Sequence, residues 1–412
     1  MGNVLGLMTN RLRNRDLFQA FYNVAREEGF ADLLIFTPAG VDLKRKRVNG
    51  YAVRDGELVK QTARYPAISY DIGFYSDPQT IAKVRQIKKT PALPFINYGL
   101  GNKWTIHKRL ALFPKLRPHL IPTEPIRDAR HAIQLLENNG TLILKPNSGK
   151  RGQGIIRLSK AGNTYLLEKD LDKLVVPSAA ELARRLRKLL QTEQYLGQKW
   201  IDIYNKHGVP YDIRSLLQKD GQGQWRLVGL AVRQGANGKV TSGLADGGTP
   251  YPLLPYLQSQ FGRKHSRYLY QRLTELSLYI PPCLEAAYRR PQADLGIDLA
   301  IDKTGHIYII EVNIKPGKKS FQDVFELQRD DVIRLPVQYA GYCLRSGKPG
   351  QIPKAVLAAL HSFEQKGEAE AAKALQFSRK PTAAREGQTL QEEKQPSFPN
   401  SSRASRQLKK TQ

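Results

Sequence analysis

Two strand-like segments near the C-terminal end constrain the fold more than any other part of this 412-residue chain. Residues 295–301 and 307–312 are apolar and rich in β-branched side chains, which is typical of buried strands. Residues 302–305, with the sequence DKTG, are typical of a turn. The sequence therefore predicts an antiparallel hairpin, in the register that pairs Asp302 with Ile307.

Three oxygen-bearing side chains are brought together by this register. It places Asp298 opposite Glu311, and Asn313 on the same face because side chains alternate along a strand. Two adjacent carboxylates repel each other unless a cation lies between them, and such oxygen ligands suit Mg²⁺. The alternative interpretation is an ordinary solvated hairpin face without a ligand.

A glycine-rich loop upstream is predicted to cover phosphate groups. The segment TLILKPNSGKRGQGIIRL reads as a strand over residues 141–145, a loop, and a second strand over residues 155–158. Glycines let a backbone approach phosphate oxygens closely and direct N–H groups at them. A flexible basic hairpin tip is the alternative. The residues of interest in this loop are Lys145, Ser148, Gly149, Lys150, Arg151, Gly152 and Gly154.

Charged residues on an apolar hairpin form a further candidate. Residues 209–217 and 225–233 read as two strands, with Asp212 and Arg214 on one face of the first and Arg233 near the end of the second. Charges on a buried strand are costly unless they are paired or face a ligand. A structural ion pair and a ligand contact therefore both remain open.

The remaining chain divides into recognisable elements. Residues 1–95 are predicted to form a small α/β domain, with a helix over residues 16–28 and a polar hairpin that turns at Asn49-Gly50. Residues 268–287 are predicted to be helical, with an interruption at Pro281-Pro282. His107 has no partner at metal-ligand spacing, so it is predicted to be structural or exposed.

Composition limits the function classes. The net charge is +28, of which about +5 lies in the tail from Lys366 onward, and such an excess favours anionic partners. No nucleic-acid recognition motif accompanies the charge, so nucleic acid is not the expected partner. Two cysteines provide no disulfide framework, and no segment has the ~20 apolar residues needed to span a bilayer. We expect a cytoplasmic protein.

Several short patterns together resemble one known family. They are LKPNSGKRGQGI, then QKWIDI fourteen residues before DIRSLLQKDGQGQW, then LAVR and IEVNIKPG. In this order they resemble the YheC/YheD group of the ATP-grasp superfamily, described as endospore coat-associated proteins. The resemblance covers roughly residues 1–345 and implies an α/β (α+β) ATP-grasp fold with two lobes that clasp a nucleotide.

The resemblance also implies domain limits. The expected parts are an N-terminal α/β domain over 1–95, an ATP-grasp domain over 96–345 with a small lobe at about 140–200 and a large lobe at about 201–345, a terminal helix over 346–375 and a disordered basic tail over 376–412.

Site residues follow from the same resemblance. The resemblance implies that ATP phosphates contact Lys103, Lys145 and the loop with Ser148, Gly149, Gly152 and Gly154, and that the adenine pocket is lined by Gln198, Lys199, Trp200 and Ile201. It implies that Mg²⁺ is bound by Asp298, Glu311 and Asn313. It also implies that the reacting groups lie beside Arg214, Arg233 and Gly317, with Lys315 at the rim of the acceptor pocket.

The implied function is phosphoryl transfer from ATP to a carboxylate, followed by attack of an amine or similar nucleophile. The acceptor is unknown, and an acidic or peptidic spore-envelope component would suit the basic chain. A nucleotide-binding coat-associated protein without turnover is the alternative, and a nucleic-acid binder is a third reading that depends on charge alone.

Overall fold

The computed structural model describes residues 2–149, 152–169, 171–236, 248–327 and 329–347, together with residues 351, 352, 358, 361 and 362. The predicted disordered tail and most of the predicted terminal helix lie outside these residues. All described residues belong to one compact unit over residues 1–367. The predicted domain limits within it stay predictions. No helix in the described ranges is both long and apolar enough to cross a bilayer.

The first sheet contains the N-terminal strands in the order β3-β4-β2-β1-β6, with β5 paired to β4. Strand β1 is parallel to both of its neighbours, β2 and β6. We call this the N-terminal sheet. Its elements are β1 (Val4–Met8), α1 (Arg15–Glu27), β2 (Asp32–Phe36), β3 (Val41–Asp42), β4 (Arg47–Arg54), β5 (Glu57–Arg64), β6 (Ile68–Asp71) and α2 (Pro78–Lys88).

The predicted turn at Asn49-Gly50 is wrong. Both residues lie inside β4, and the chain turns instead at Asp55-Gly56, where both φ angles are positive. A Cβ atom on Gly50 would lie 2.6 Å from the carbonyl oxygen of Ile35. The glycine therefore allows β4 to pack closely on β2, and it is not a turn residue.

The second sheet, which we call the middle sheet, has the strand order β11-β10-β9-β8-β12-β7. Helix α5 begins after Ser178, whose side chain accepts a hydrogen bond from Glu181 N–H and so caps the helix. The elements are α3 (Lys103–Leu110), β7 (Thr123–Pro125), α4 (Ala129–Asn139), β8 (Thr141–Pro146), β9 (Ile156–Ala161), β10 (Thr164–Lys169), β11 (Asp172–Val176), α5 (Ala179–Leu190) and β12 (Tyr195–Lys199). A 3-10 helix, Pro114–His119, follows α3.

The third sheet, the C-terminal sheet, is antiparallel and has the order β15-β14-β13-β16-β17. Its elements are β13 (Tyr211–Lys219), β14 (Trp225–Gln234), β15 (Thr249–Pro252), α6 (Leu253–Tyr288), β16 (Asp294–Ile301), β17 (Ile307–Asn313), α7 (Lys319–Phe325) and α8 (Arg329–Arg345). One apolar core joins this sheet to α6, and it includes Leu273 and Ile280 of the helix and Ile297 and Leu299 of β16.

The predicted interruption of the long helix at Pro281-Pro282 is wrong. Helix α6 continues through both prolines to Tyr288, and its non-helical residue is Gly262, with φ 74°. Both prolines are buried, so packing keeps this segment helical despite the missing N–H donors.

Helix α8 returns the chain to the N-terminal sheet. Val332, Ile333 and Val337 are buried in the same apolar core as Phe18 and Val24 of α1. The last helix therefore fixes the N-terminal sheet to the C-terminal part of the described chain.

Candidate functional site

The hairpin β16–β17 places Asp298 directly opposite Glu311, as the sequence predicts. The predicted pair of Asp302 with Ile307 is wrong, because Ile307 pairs with Ile301. The register shifts by one residue between Asp298 and Leu299, so the two differences compensate. Asp302 instead closes the turn, since its Oδ1 accepts hydrogen bonds from the N–H groups of Thr304 and His306.

Asp298 is buried among arginines. Arg214 donates from Nη2 to Asp298 Oδ2 at 3.0 Å and also from Nε to Oδ1. Arg233 Nη2 lies 3.0 Å from the same Oδ2 and 2.6 Å from Oδ2 of Asp212. Burial alone would raise the pKa of Asp298, but the two guanidinium groups outweigh it and lower this pKa. Both arginines are thus part of an ionised, hydrogen-bonded cluster in the C-terminal sheet.

Asn313 completes the predicted oxygen set. It pairs with Gly296 in the hairpin, and its Nδ2 lies 3.4 Å from Asp298 Oδ2. In the described ranges, no three side chains of His, Cys, Asp or Glu gather in a way that could hold a metal. The set is therefore two carboxylates and one amide on a single hairpin.

Lys103 connects the hairpin to the glycine-rich loop. Its Nζ donates to Glu311 Oε1 at 2.6 Å and to the carbonyl oxygen of Gly149 at 2.9 Å. The start of α3 is held in place by Asn147, whose carbonyl oxygen accepts from Lys103 N–H and whose Oδ1 accepts from Trp104 N–H. Lys103 thus bridges the middle and C-terminal sheets.

Lys145 is the second lysine of the site and points from β8 into the same space. Only 7% of it is exposed, and its Nζ donates to Gln198 Oε1 at 3.0 Å. Burial lowers the pKa of Lys145 to about 8; the charge of Lys103 acts in the same direction, while Glu311 opposes it. Lys145 is therefore a cation held in an energetically costly position.

The described residues of the glycine-rich loop lie against the end of β8. Gly152 and Gly154 have φ angles of 71° and 77°. A Cβ atom on Gly154 would lie 2.8 Å from Pro146 Cγ, so both its backbone conformation and its packing favour glycine. Ser148 is exposed and Gly149 half-buried. The predicted contributions of Lys150 and Arg151 lie outside the described residues.

The predicted adenine segment is only partly at the site. Gln198 faces the lysines, and its Nε2 donates to Thr123 Oγ1. Lys199 is exposed at the end of β12, and Ile201 is half-buried beyond it. The ring of Trp200 lies 4.4 Å from the guanidinium carbon of Arg157, which places it over strand β9.

A cavity lies between β8, β12, β17 and α3. Its volume of about 30 Å³ accommodates one or two water molecules, which is less than a nucleotide requires. Its lining includes both lysines and Glu311 among apolar side chains. The lining residues are Lys103, Ile106, His107, Leu110, Leu120, Thr123, Lys145, Leu196, Gln198, Ile309, Ile310, Glu311 and Val312.

His107 is a residue whose place the sequence argument missed. It lines the cavity and stacks on Trp104 with ring centroids 5.3 Å apart. Burial, and then the charge of Lys145, lower the pKa of His107. The available signal was helical spacing, because Lys103, Ile106, His107 and Leu110 fall on one face of α3.

The segment after β17 contacts the end of β6 in the N-terminal sheet. Lys315 Nζ is 2.8 Å from Oδ1 of the buried Asp71, at the end of β6, and also donates to the carbonyl oxygen of Gly73. A Cβ atom on Gly296 would lie 2.7 Å from Pro316 Cβ, whereas one on Gly317 would meet no atom of the described residues within 4 Å. The described part of the chain therefore leaves room beside Gly317.

Comparison with known proteins gives consistent results. A family model described as "YheC/D like ATP-grasp" matches residues 92–343. The endospore coat-associated protein YheC of Bacillus subtilis (strain 168) is 28% identical over 331 residues, which are 77% of this chain and 90% of that protein. The endospore coat-associated protein YheD of the same strain is 22% identical over 80% of this chain and 74% of that protein.

The fold likeness extends to a solved structure. The D-cycloserine synthetase DcsG is 12% identical, with a TM-score of 0.51 over 83% of this chain and 99% of that one. The mixed α/β architecture with three sheets is accordingly the ATP-grasp fold, as the sequence patterns predict. Since the family match extends over more than half of its length, the chain belongs to the YheC/D-like ATP-grasp family.

Proposed function

We propose that this protein is a Mg²⁺- and ATP-dependent ligase that activates a carboxylate as an acyl phosphate and transfers it to an amine or related nucleophile. The observation that carries the proposal is the convergence of Lys103, Lys145 and Glu311 on one cavity between two sheets. Family membership and the ATP-grasp fold support the same reading.

In this proposal the two lysines bind the nucleotide phosphates. Lys145 is already desolvated, so an added phosphate would gain a cation without having to displace its water shell. Lys103 would release its hydrogen bonds to Glu311 and Gly149 and donate to phosphate oxygens instead. The glycine-rich loop with Ser148, Gly149, Gly152 and Gly154 would close over the phosphates, and the segment from Gln198 through Lys199 and Trp200 to Ile201 would border the base.

The oxygen donors fit Mg²⁺. Asp298, Glu311 and Asn313 carry carboxylate and amide oxygens on one hairpin, and Mg²⁺ is commonly held by one or two carboxylates together with substrate phosphates. Both oxygens of Asp298 now accept from Arg214, and Oδ2 also faces Arg233, so Asp298 would contact the metal only once these guanidinium groups turned to the phosphoryl group. When Lys103 moves to phosphate, the oxygen of Glu311 that it now holds becomes available. A bound Mg²⁺ would neutralise charge on the phosphates during transfer.

The reaction then requires positioning more than a protein nucleophile. A carboxylate oxygen of the acceptor forms a bond to the γ-phosphorus of ATP while the bond to the ADP oxygen breaks. The amine next attacks the acyl carbon, inorganic phosphate leaves, and the amine loses a proton to water. Arg214 and Arg233 would face the transferred phosphoryl group and stabilise its charge.

The acceptor is proposed to bind beside Gly317. The neighbouring Lys315 contacts the end of β6, in a sheet where β2 and β6 lie on opposite sides of the parallel strand β1, and such switch points commonly bind ligands. Lys315 and Lys88 flank Asp71 at this edge, so the local positive charge exceeds that of the carboxylate. An acidic or peptidic acceptor suits this balance.

The proposal is tested with the variant Glu311→Gln. Nucleotide-dependent ADP release with candidate carboxylates should fall at least about a hundredfold, while Glu57→Gln, at an exposed ion pair, should behave as the parent chain. Equal turnover by the parent and Glu311→Gln chains would contradict the proposal.

A nucleotide-binding protein of the spore coat without turnover is the alternative. The names of the two Bacillus subtilis relatives support a spore-associated role beside the cytoplasmic location that we expect. A rise in melting temperature with Mg·ATP, without ADP release across a broad panel of carboxylates and amines, would favour this alternative.

A further inference from the structure

A long segment without acidic residues forms part of the protein surface. Residues 78–123 contain nine Lys and Arg residues and no Asp or Glu. The segment includes α2, α3 and the 3-10 helix Pro114–His119. In the neighbouring half of α6, the carboxylate of Glu285 is fully buried in an ion pair with Lys219, and the exposed carboxylate of Glu275 is paired with Arg272 of the same helix at 3.0 Å.

Contacts between these elements join their cations into one surface. The guanidinium of Arg109 lies 5.5 Å from the ring centre of Tyr288 on α6, and Lys115 Nζ lies 5.4 Å from that of Tyr279. Tyr288 also donates a hydrogen bond to the carbonyl oxygen of Leu100, just before α3. We call the exposed cations of this surface the basic face: Lys108, Arg109, Lys115, Arg117, Arg289 and Arg290.

Helix α3 gives the basic face its position. Lys103 and His107 on one side of this helix line the cavity, whereas Lys108 and Arg109 on the other side are exposed. Two cations of the basic face, Lys108 and Arg109, therefore lie on the outer surface of the helix that forms one wall of the candidate nucleotide cavity.

We propose that the basic face is a docking surface for an acidic polypeptide segment. Clustered cations with no acidic residue in the same segment attract anionic chains. Single-stranded nucleic acid would also require free aromatic faces for base stacking. Here the rings of three aromatic residues are each approached by a cation of the face: Trp104 by Lys108, Tyr288 by Arg109 and Tyr98 by Arg290. Carboxylates need only the cations, so the arrangement favours a chain rich in Asp and Glu.

The test measures fluorescence anisotropy of a labelled oligoglutamate of about twenty residues with the full-length chain, in the absence of nucleotide. A variant with Lys108→Gln, Arg109→Gln, Lys115→Gln and Arg117→Gln should bind about tenfold more weakly, since exposed ion pairs contribute modestly each. The matched control carries Lys44→Gln, Lys46→Gln, Lys60→Gln and Arg64→Gln on the N-terminal sheet, where the side chains are solvent-accessible.

The expected result is tight binding at low salt that weakens at physiological salt, retained by the control and about tenfold weaker in the basic-face variant. Equal losses in both variants would show an effect of net charge alone and overturn the proposal. So would tighter binding of an oligo-dT of similar length or of phosphatidylserine vesicles than of oligoglutamate, or no binding at low salt. Because none of these measurements requires ATP turnover, their failure is distinct from failure of the ligase proposal.

Discussion

Lys145 is a buried cation with an amide oxygen as its hydrogen-bond acceptor. Because the pKa of Lys145 is lowered to about 8, its charge disfavours folding below that pH, and the cost fades as the pH rises towards the unfolded value of about 10.4. Lys145→Met should therefore raise the free energy of unfolding at pH 7 by up to ~3 kcal/mol. It should also weaken nucleotide binding by about two orders of magnitude.

Calorimetric titration and thermal melting together measure these two effects. Lys160→Met, at an exposed ion pair with Glu137, is the control and should change neither quantity appreciably. If Lys145→Met lost stability and kept nucleotide affinity, the lysine would be a structural residue.

The same lysine predicts a pH dependence. Lys145 is protonated below about pH 8 and neutral above it, and only the protonated form attracts phosphate strongly. Nucleotide affinity should thus decrease between about pH 7 and about pH 9.5 in the parent chain, and Lys145→Met should show a flatter profile. An unchanged affinity across this range would contradict the assignment.

Asp298 and Glu311 should respond differently to removal of their charge. Asp298→Asn leaves two buried guanidinium groups short of a carboxylate, which costs about 3–5 kcal/mol. Glu311→Gln leaves Lys103 bonded to Gly149 at a partly exposed position, so it should cost less than about 1 kcal/mol. Denaturant unfolding measures both free energies of unfolding. A larger loss of stability in Glu311→Gln than in Asp298→Asn would contradict this prediction.

At the scale of elements, two glycines around the hairpin β16–β17 make a matched pair. Gly296→Ala forces Pro316 to move, at about 1–3 kcal/mol, and should disturb the segment that holds Gly317. Gly317→Ala meets no atom of the described residues, so it should leave stability unchanged and raise the KM for the acceptor several-fold, because the acceptor is proposed to bind there. A stability loss in Gly317→Ala without an effect on KM would place the acceptor elsewhere.

The same hairpin shows how far sequence reasoning reaches. Alternation and turn chemistry correctly placed Asp298 opposite Glu311, but the bulge after Asp298 and the longer turn were not predicted, since an alternating pattern does not locate an extra residue in a strand. Gly50 resembled a turn residue because close approach of two strands and a turn both select glycine.

Long-range contacts explain the other differences. Helix α6 passes through Pro281-Pro282 because buried neighbours hold it, and local propensity does not contain that information. His107 was missed because no metal-ligand spacing accompanies it, and only its helical spacing from Lys103 indicates the cavity. Lys145 and Glu311, whose charge and position in a predicted strand both indicated a ligand site, do line the same cavity.

At the scale of the whole molecule, buried ion pairs connect the N-terminal sheet to the segment after β17. Burial alone would raise the pKa of Asp71, but Lys88 and Lys315 outweigh it and lower this pKa. Asp71→Asn should destabilise the fold by about 3–5 kcal/mol at pH 7, compared with little change for the exposed Asp16→Asn. The melting temperatures of the two variants measure this difference in stability. Equal melting temperatures would show that the ion pairs of Asp71 do not stabilise the fold.

The most direct test of the central claim is a crystal structure with Mg²⁺ and a non-hydrolysable ATP analogue. We predict that the middle and C-terminal sheets separate, that phosphate oxygens lie within hydrogen-bond distance of Lys103 and Lys145, and that the metal contacts Glu311. A nucleotide bound away from this cavity, with Lys103 still paired to Glu311, would contradict the account.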